Sequence, residues 1–292
     1  MKKNKNYSKP SIPKVLHFIL NTNCNAKELK PMNDSYGICD FCYSSKDVVK
    51  TTESKIESLL KMVRSESDIN RIVFTGGESL MKNNHIEFAV KCAKELGFVV
   101  NIHTNGLLLF EKYQYIKKWV DIYTLAIDGS NEKNADFKRG IGYFYYFNRN
   151  IDLMINENRT LAFNTFVDFY NIYDLEKIAY MINFLSEKTT VEYWLISQYR
   201  LNYRTTQIHK DRYCFSTDKF NEKIEKIINL FPNLNIFSQP TRDGNLYPQR
   251  ICLMADGNLT KDIADHYGNK TIIMGNCFSN NFIDLYQKSL KE

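Results

Sequence analysis

Short apolar runs alternate with amphipathic stretches along most of this chain. Val15-Leu16-His17-Phe18-Ile19-Leu20 predicts a buried strand over about 14–20. Ile56, Leu59, Leu60 and Val63 then recur at i, i+3, i+4 and i+7, the spacing of one helix face, and predict a helix over 53–64. The alternation continues with a strand at 71–75, a helix at 83–96 stopped by Gly97, and a strand from Phe98 to His103. A helix near 110–118, a strand at 122–127, a helix near 145–157 and a strand at 161–167 follow. Leu175, Ile178, Ala179 and Ile182 mark a helix over 173–185, ahead of a strand at 191–197 and a helix at 217–230.

Strands that alternate with helices of this length build a parallel sheet with helical crossovers. Six such units are fewer than the eight that close a barrel, so the expected fold is α/β, a partial (β/α)6 TIM-like barrel. From about 232 the character changes. Pro232, Pro240, Gly244, Pro248, Gly257, Gly268 and Gly275 punctuate short strands such as 250–254 and 271–274, with a last helix near 281–289. The expected organisation is a polar lead-in over 1–13, a barrel over 14–231 and a small α+β extension over 232–292.

Composition narrows the function class. Hydrophobic residues are 43% and charged residues 25% of 292, ordinary for a folded chain with a sizeable core. A net charge of +6 without a basic stripe gives no reason to expect a nucleic-acid partner. No run of about 18 apolar residues exists to span a membrane, and no apolar h-region follows the basic start. Seven cysteines at 24, 39, 42, 92, 214, 252 and 277 are odd in number and unevenly spaced. They fit a metal site in a reducing cytoplasm better than a secreted disulfide framework. Cys92, inside an amphipathic pattern, reads as a small core residue.

Three of the thiols carry the chemistry. Cys24, Cys39 and Cys42 lie in one loop directly after the first strand. Three thiolates can hold three irons of a 4Fe–4S cube and leave the fourth open. They can equally form a structural zinc site with His17 or Cys214 as fourth ligand, the clip of a non-catalytic interaction protein, or be unrelated buried thiols. Thirty residues on, the second strand ends in Gly76-Gly77-Glu78. The glycines allow close backbone approach, and Glu78 adds a carboxylate.

Cys24-x14-Cys39-x2-Cys42 followed by Gly76-Gly77-Glu78 resembles the radical S-adenosylmethionine (SAM) enzymes, over roughly residues 14–200. The usual cysteine spacing is CxxxCxxC. The long first gap here is similar to an insertion in some 7-carboxy-7-deazaguanine synthases, and Ser79 stands where a proline is usual. The resemblance implies an oxygen-sensitive, cytoplasmic enzyme in which Cys24, Cys39 and Cys42 hold a 4Fe–4S cluster. One electron delivered to SAM bound at the open iron then yields a 5′-deoxyadenosyl radical that takes hydrogen from a substrate. It implies a low-potential electron donor such as flavodoxin or ferredoxin. No catalytic residue beyond the cluster ligands is assigned.

Cofactor contacts are expected from Phe41 over the cluster and from Thr75, Gly76, Gly77 and Glu78 at the SAM amino group. Ligands of parallel sheets sit at the carboxyl ends of strands, so Thr104, Asn105 and Asp128 join the set, each with an ordinary turn or cap as its alternative. Asn164, unusual inside a strand, is expected to face the lumen. Gln198 and Arg200 end the sixth strand and either reach SAM or serve structural hydrogen bonds. His17 and His103 are expected to be satisfied histidines of the core or rim.

Substrate identity stays open at this stage, between a peptide or small precursor and a nucleotide. Arg200, Arg204, Lys210 and Arg212 could clamp phosphates. The tail, Cys252 to Leu259 and Gly275-Asn276-Cys277, resembles a decayed SPASM-type extension and also the tail of viperin-like nucleotide dehydratases. An auxiliary cluster from Cys214, Cys252 and Cys277 is the weaker expectation, because Lys261-Asp262 replaces an expected cysteine.

Overall fold

A computed structural model describes residues 14–32, 39, 42, 51–199, 213–240, 250–265 and 268–291. Ten strands form one sheet: β1 (Val15–Asn21), β2 (Arg71–Gly76), β3 (Val99–Thr104), β4 (Ile122–Ala126), β5 (Thr160–Val167), β6 (Val191–Gln198), β7 (Ile236–Gln239), β8 (Ile251–Met254), β9 (Asn258–Asp265) and β10 (Gly268–Asn276). Their order is β10-β9-β8-β1-β2-β3-β4-β5-β6-β7. The six central strands are parallel and sequential, as expected of a partial (β/α)6 barrel. The tail continues the same sheet at both edges. β7 pairs in parallel with β6, β8 pairs in parallel with β1, and β9 and β10 add antiparallel strands outside β8.

The helices are α1 (Glu53–Glu66), α2 (Ile86–Glu95), α3 (Leu109–Ile116), α4 (Glu132–Arg139), α5 (Tyr143–Asn156), α6 (Leu175–Ser186), α7 (Thr217–Leu230) and α8 (Phe282–Lys291). Each expected helix is present within a few residues of its predicted bounds. α4 is an addition. Its buried residues are Ala135, Asp136 and Lys138, so its inner face is largely charged and carries no apolar period. It forms because Asn131 caps it, accepting from the Asn134 N–H. Asp136 then accepts from the Gly142 and Phe144 N–H groups at 2.6 and 2.8 Å. A carboxylate from one helix thus satisfies the open donors at the start of the next.

Two faces of the sheet have different jobs. Leu16, Phe18, Ile72, Phe74, Val100, Ile102, Tyr123, Leu125, Leu161, Phe163, Trp194 and Ile196 point to the helices and form the main core. The alternate positions line the inside of the half-barrel. There Tyr193 on β6 is a hub. Its hydroxyl lies 3.0 Å from Asn101 Nδ2, 3.0 Å from Thr124 Oγ1 and 3.3 Å from His103 Nε2. No described helix is long and apolar enough to cross a membrane.

Candidate active site at the mouth of the barrel

The site begins where β2 meets the loop after β1. The Gly77 N–H donates to Asn21 O at 3.0 Å and the Glu78 N–H to Asn23 O at 2.7 Å. A Cβ at Gly77 would sit 2.1 Å from Asn23 O and 2.3 Å from Thr22 O, and one at Gly76, whose φ is +138°, would sit 2.2 Å from Asn21 O. The glycine pair is therefore needed so that the end of β2 can lie against the base of the cysteine loop. That contact fixes where Cys24 starts.

Glu78 is fully buried. Its Oε1 accepts from the Thr104 hydroxyl at 2.6 Å and from the Leu80 N–H at 2.9 Å, and its Oε2 accepts from the Asn105 N–H at 2.7 Å. A carboxylate has about four lone-pair positions, so one acceptor position on Oε2 is left after these three bonds. Burial pushes the Glu78 carboxyl up from its ordinary range, and the three donors and the Arg139 charge pull back.

Asn105 carries the connection to the thiols. Its Nδ2 donates to Asn25 Oδ1 at 2.9 Å and lies 3.5 Å from Cys24 Sγ, while its Oδ1 accepts from the Leu107 N–H at 3.0 Å. Thr104 is likewise committed, because its hydroxyl also accepts from the Gly106 N–H. Thr75, buried and in register with Ile19, stands on the lumen side just before the glycines.

Cys39 is held by α4. Its N–H donates to Lys138 O at 3.3 Å, and the Cys42 N–H donates to Cys39 O at 2.7 Å. Cys39 has φ +54°, in the left-handed region that non-glycine residues seldom occupy. Burial pushes its thiol up to about 12, against the pull of Arg139, and the charges of Cys42 and Cys24 push the same way. Cys24 is also raised, chiefly by burial. The three thiols are thus within electrostatic reach of one another, and none of them is in a disulfide. Among the described residues no three His, Cys, Asp or Glu side chains close around a single ion. Three thiols with no oxygen donor among them make a soft, all-sulfur set, the donor type that an iron–sulfur cluster takes.

The structure redirects several expected contacts. Asp128, fully buried, takes Arg139 Nε and Nη2 on its Oδ2, each at 2.6 Å, and the Phe166 N–H on its Oδ1 at 2.7 Å. It is paired with Arg139, a residue the sequence reading missed. Gln198 lies on the helix-facing side with Trp194 and Ile196, and its Nε2 donates to Phe215 O at 2.9 Å. Of its two expected roles the structural one is therefore seen. Asn164 does face the lumen. Its Nδ2 lies 3.5 Å from His103 Nδ1, and its buried Oδ1 has no hydrogen-bond partner among the described residues.

Of the two histidines, His103 has a partner on each ring nitrogen, as expected of a satisfied residue, and His17 departs from that expectation. Their rings meet edge-to-face at 5.8 Å, and buried His17 Nδ1 has no hydrogen-bond partner among the described residues. Burial, with Arg250 nearby, holds His103 down at about 3 and His17 well below its usual value. Phe41, Arg200, Arg204, Lys210 and Arg212 lie outside the described residues, as does the lead-in. Cys277 belongs to the main core, Cys252 on β8 stands in register with His17 on β1, and Cys214, Phe166 and Cys39 each pack against Tyr199 and Tyr213.

A family model described as the radical SAM superfamily matches residues 31–198, more than half of the chain. The match contains Cys39, Cys42 and Gly76-Gly77-Glu78 and begins after Cys24. No curated protein matches the sequence. Among solved structures, Streptococcus suis SuiB bound to S-adenosylmethionine superposes with a TM-score of 0.68 at 16% identity, over 94% of this chain and 65% of that one. SuiB bound to precursor peptide SuiA gives a TM-score of 0.67 at 13% identity, over 96% of this chain and 66% of that one. The chain thus spans just under two thirds of SuiB, and the likeness shows the fold.

Proposed function

The chain belongs to the radical SAM superfamily, enzymes that use a 4Fe–4S cluster and SAM, and we propose that it uses them to modify a peptide. The observation that carries the site is the bridge made by Asn105. It joins the Cys24 thiol on one side to the Glu78 carboxylate on the other, at the carboxyl ends of β1, β2 and β3. That bridge supports reading the two sequence signatures as one site.

In this reading Cys24, Cys39 and Cys42 hold the cluster as thiolates. When bound, the cluster and SAM supply a 5′-deoxyadenosyl radical by one-electron cleavage of the sulfonium. The protein orients and shields. Glu78 offers its remaining Oε2 lone pair to the SAM ammonium, beside backbone exposed by Gly76 and Gly77. Asn164 Oδ1, a buried acceptor without a donor among the described residues, suits a ribose hydroxyl. Asn105 and Thr104 hold Glu78 in place. A low-potential donor such as flavodoxin or ferredoxin delivers the electron.

The peptide class is supported by the neighbour solved with a precursor peptide. Short peptides encoded beside the gene would be supplied in deuterated form under anaerobic reducing conditions. Deuterium appearing in 5′-deoxyadenosine supports the proposal. Deuterium transfer from a labelled nucleoside triphosphate, and from no peptide, would replace the peptide with a nucleotide.

A further inference from the structure

We infer that Arg139 is a positioning residue that sets the reduction potential of the cluster by placing a fixed positive charge on the Cys39 ligand. This rests on the cluster assignment above. Arg139 Nη1 lies 4.0 Å from Cys39 Sγ. Its Nε and Nη2 both bind Asp128 Oδ2, so the fork is locked with its third nitrogen toward the sulfur. The guanidinium carbon lies 5.6 Å from the centre of the Tyr143 ring, and that ring is itself fixed by a 2.8 Å bond from its hydroxyl to Ala126 O.

The same helix end holds the backbone of Cys39. Lys138 O accepts the Cys39 N–H, and Lys138 Nζ is anchored to Phe166 O at 2.5 Å and to Asp168 Oδ2 at 2.9 Å. Two adjacent cations of α4 are thus pinned to the ends of β4 and β5, and between them they fix the Cys39 backbone and face its sulfur. The Asp128 side chain is sealed and the Arg139 side chain is 15% exposed, so solvent screens the pair weakly, and its positive end, Arg139, lies nearer the sulfur than the opposing Asp128 carboxylate. Reduction adds an electron to a cluster whose negative charge is spread onto its thiolates. A cation or N–H donor at a ligand sulfur therefore favours the reduced form.

The test is redox titration of the reconstituted enzyme without SAM, following the reduced cluster by EPR. Omitting SAM removes any contribution from contacts between Arg139 and the cofactor. The Arg139→Gln, Asp128→Asn double variant removes the buried pair without stranding a charge. Iron content and circular dichroism verify that it is loaded and folded. At fixed potential its reduced-to-oxidised ratio is expected to fall about tenfold, equal to about 59 mV for one electron. Arg139→Lys is expected to stay near the wild-type ratio. An unchanged ratio in the loaded double variant would overturn the inference while leaving the enzyme assignment intact. A wild-type protein that takes up no cluster would overturn both.

Discussion

The backbone N–H of Asn105 donates to Glu78 Oε2 at 2.7 Å, tying the end of β3 to the end of β2. The same residue's amide reaches Cys24 and Asn25. A single asparagine thereby sets the distance between the carboxylate and the first thiol.

Glu78→Gln should expose how far the site depends on that carboxylate. Three donors converge on it, and a carboxamide presents one face that donates. One buried N–H or hydroxyl then loses its acceptor, at a cost of about 1–3 kcal/mol. Urea denaturation should show that loss, and isothermal titration of the loaded protein should show weaker SAM binding.

Gly77→Ala places a methyl group against Thr22 O and Asn23 O. The cysteine loop must move or the strand end must retreat, with a cost of about 1–3 kcal/mol. The expected outcome is a lower Tm together with less iron retained after desalting. Normal iron content in a destabilised variant would mean that the loop adjusts without loss of the thiol arrangement.

Lys138→Met removes one member of an ion pair whose side chains are only 3% and 0% exposed. The stranded Asp168 carboxylate should cost about 3–5 kcal/mol. Adding Asp168→Asn should restore part of it. A double-mutant cycle by chemical denaturation reads the difference.

Acid should destabilise the apoprotein through the lumen histidines. His103 is held at about 3 by burial, below the ordinary 6.5. Between those values the unfolded chain binds a proton that the folded chain refuses. This contribution is complete above pH 6.5 and is lost as pH falls toward 3, by at most about 1.4 kcal/mol per pH unit. His17, lowered in the same direction, adds to the slope. Stability measured from pH 7 to 5 should fall less steeply in His103→Gln than in the wild type.

The barrel was legible because each of its six strands is an apolar run too short for a helix and each crossover carries a 3.6-residue period. The glycine pair and the cysteine loop were legible because few residue types tolerate such a close approach or carry such chemistry. Arg139 was not, since α4 buries Asp136 and Lys138 rather than an apolar stripe. Which way the strand-six residues face was not legible for a related reason. Both faces of a covered parallel strand are apolar, and the face with Trp194 and Gln198 turns to the helices while Tyr193 enters the lumen. β7 and β9 escaped because β7 has only four residues and β9 mixes Thr, Lys and Asp into its pattern.

Anaerobic reconstitution with iron and sulfide, then reduction with SAM present, tests the central claim most directly through the amount of 5′-deoxyadenosine formed. The account predicts about four irons per chain and 5′-deoxyadenosine from the wild type, both lost in the Cys24→Ala, Cys39→Ala, Cys42→Ala triple variant. Zinc in place of iron, with no 5′-deoxyadenosine, would contradict it.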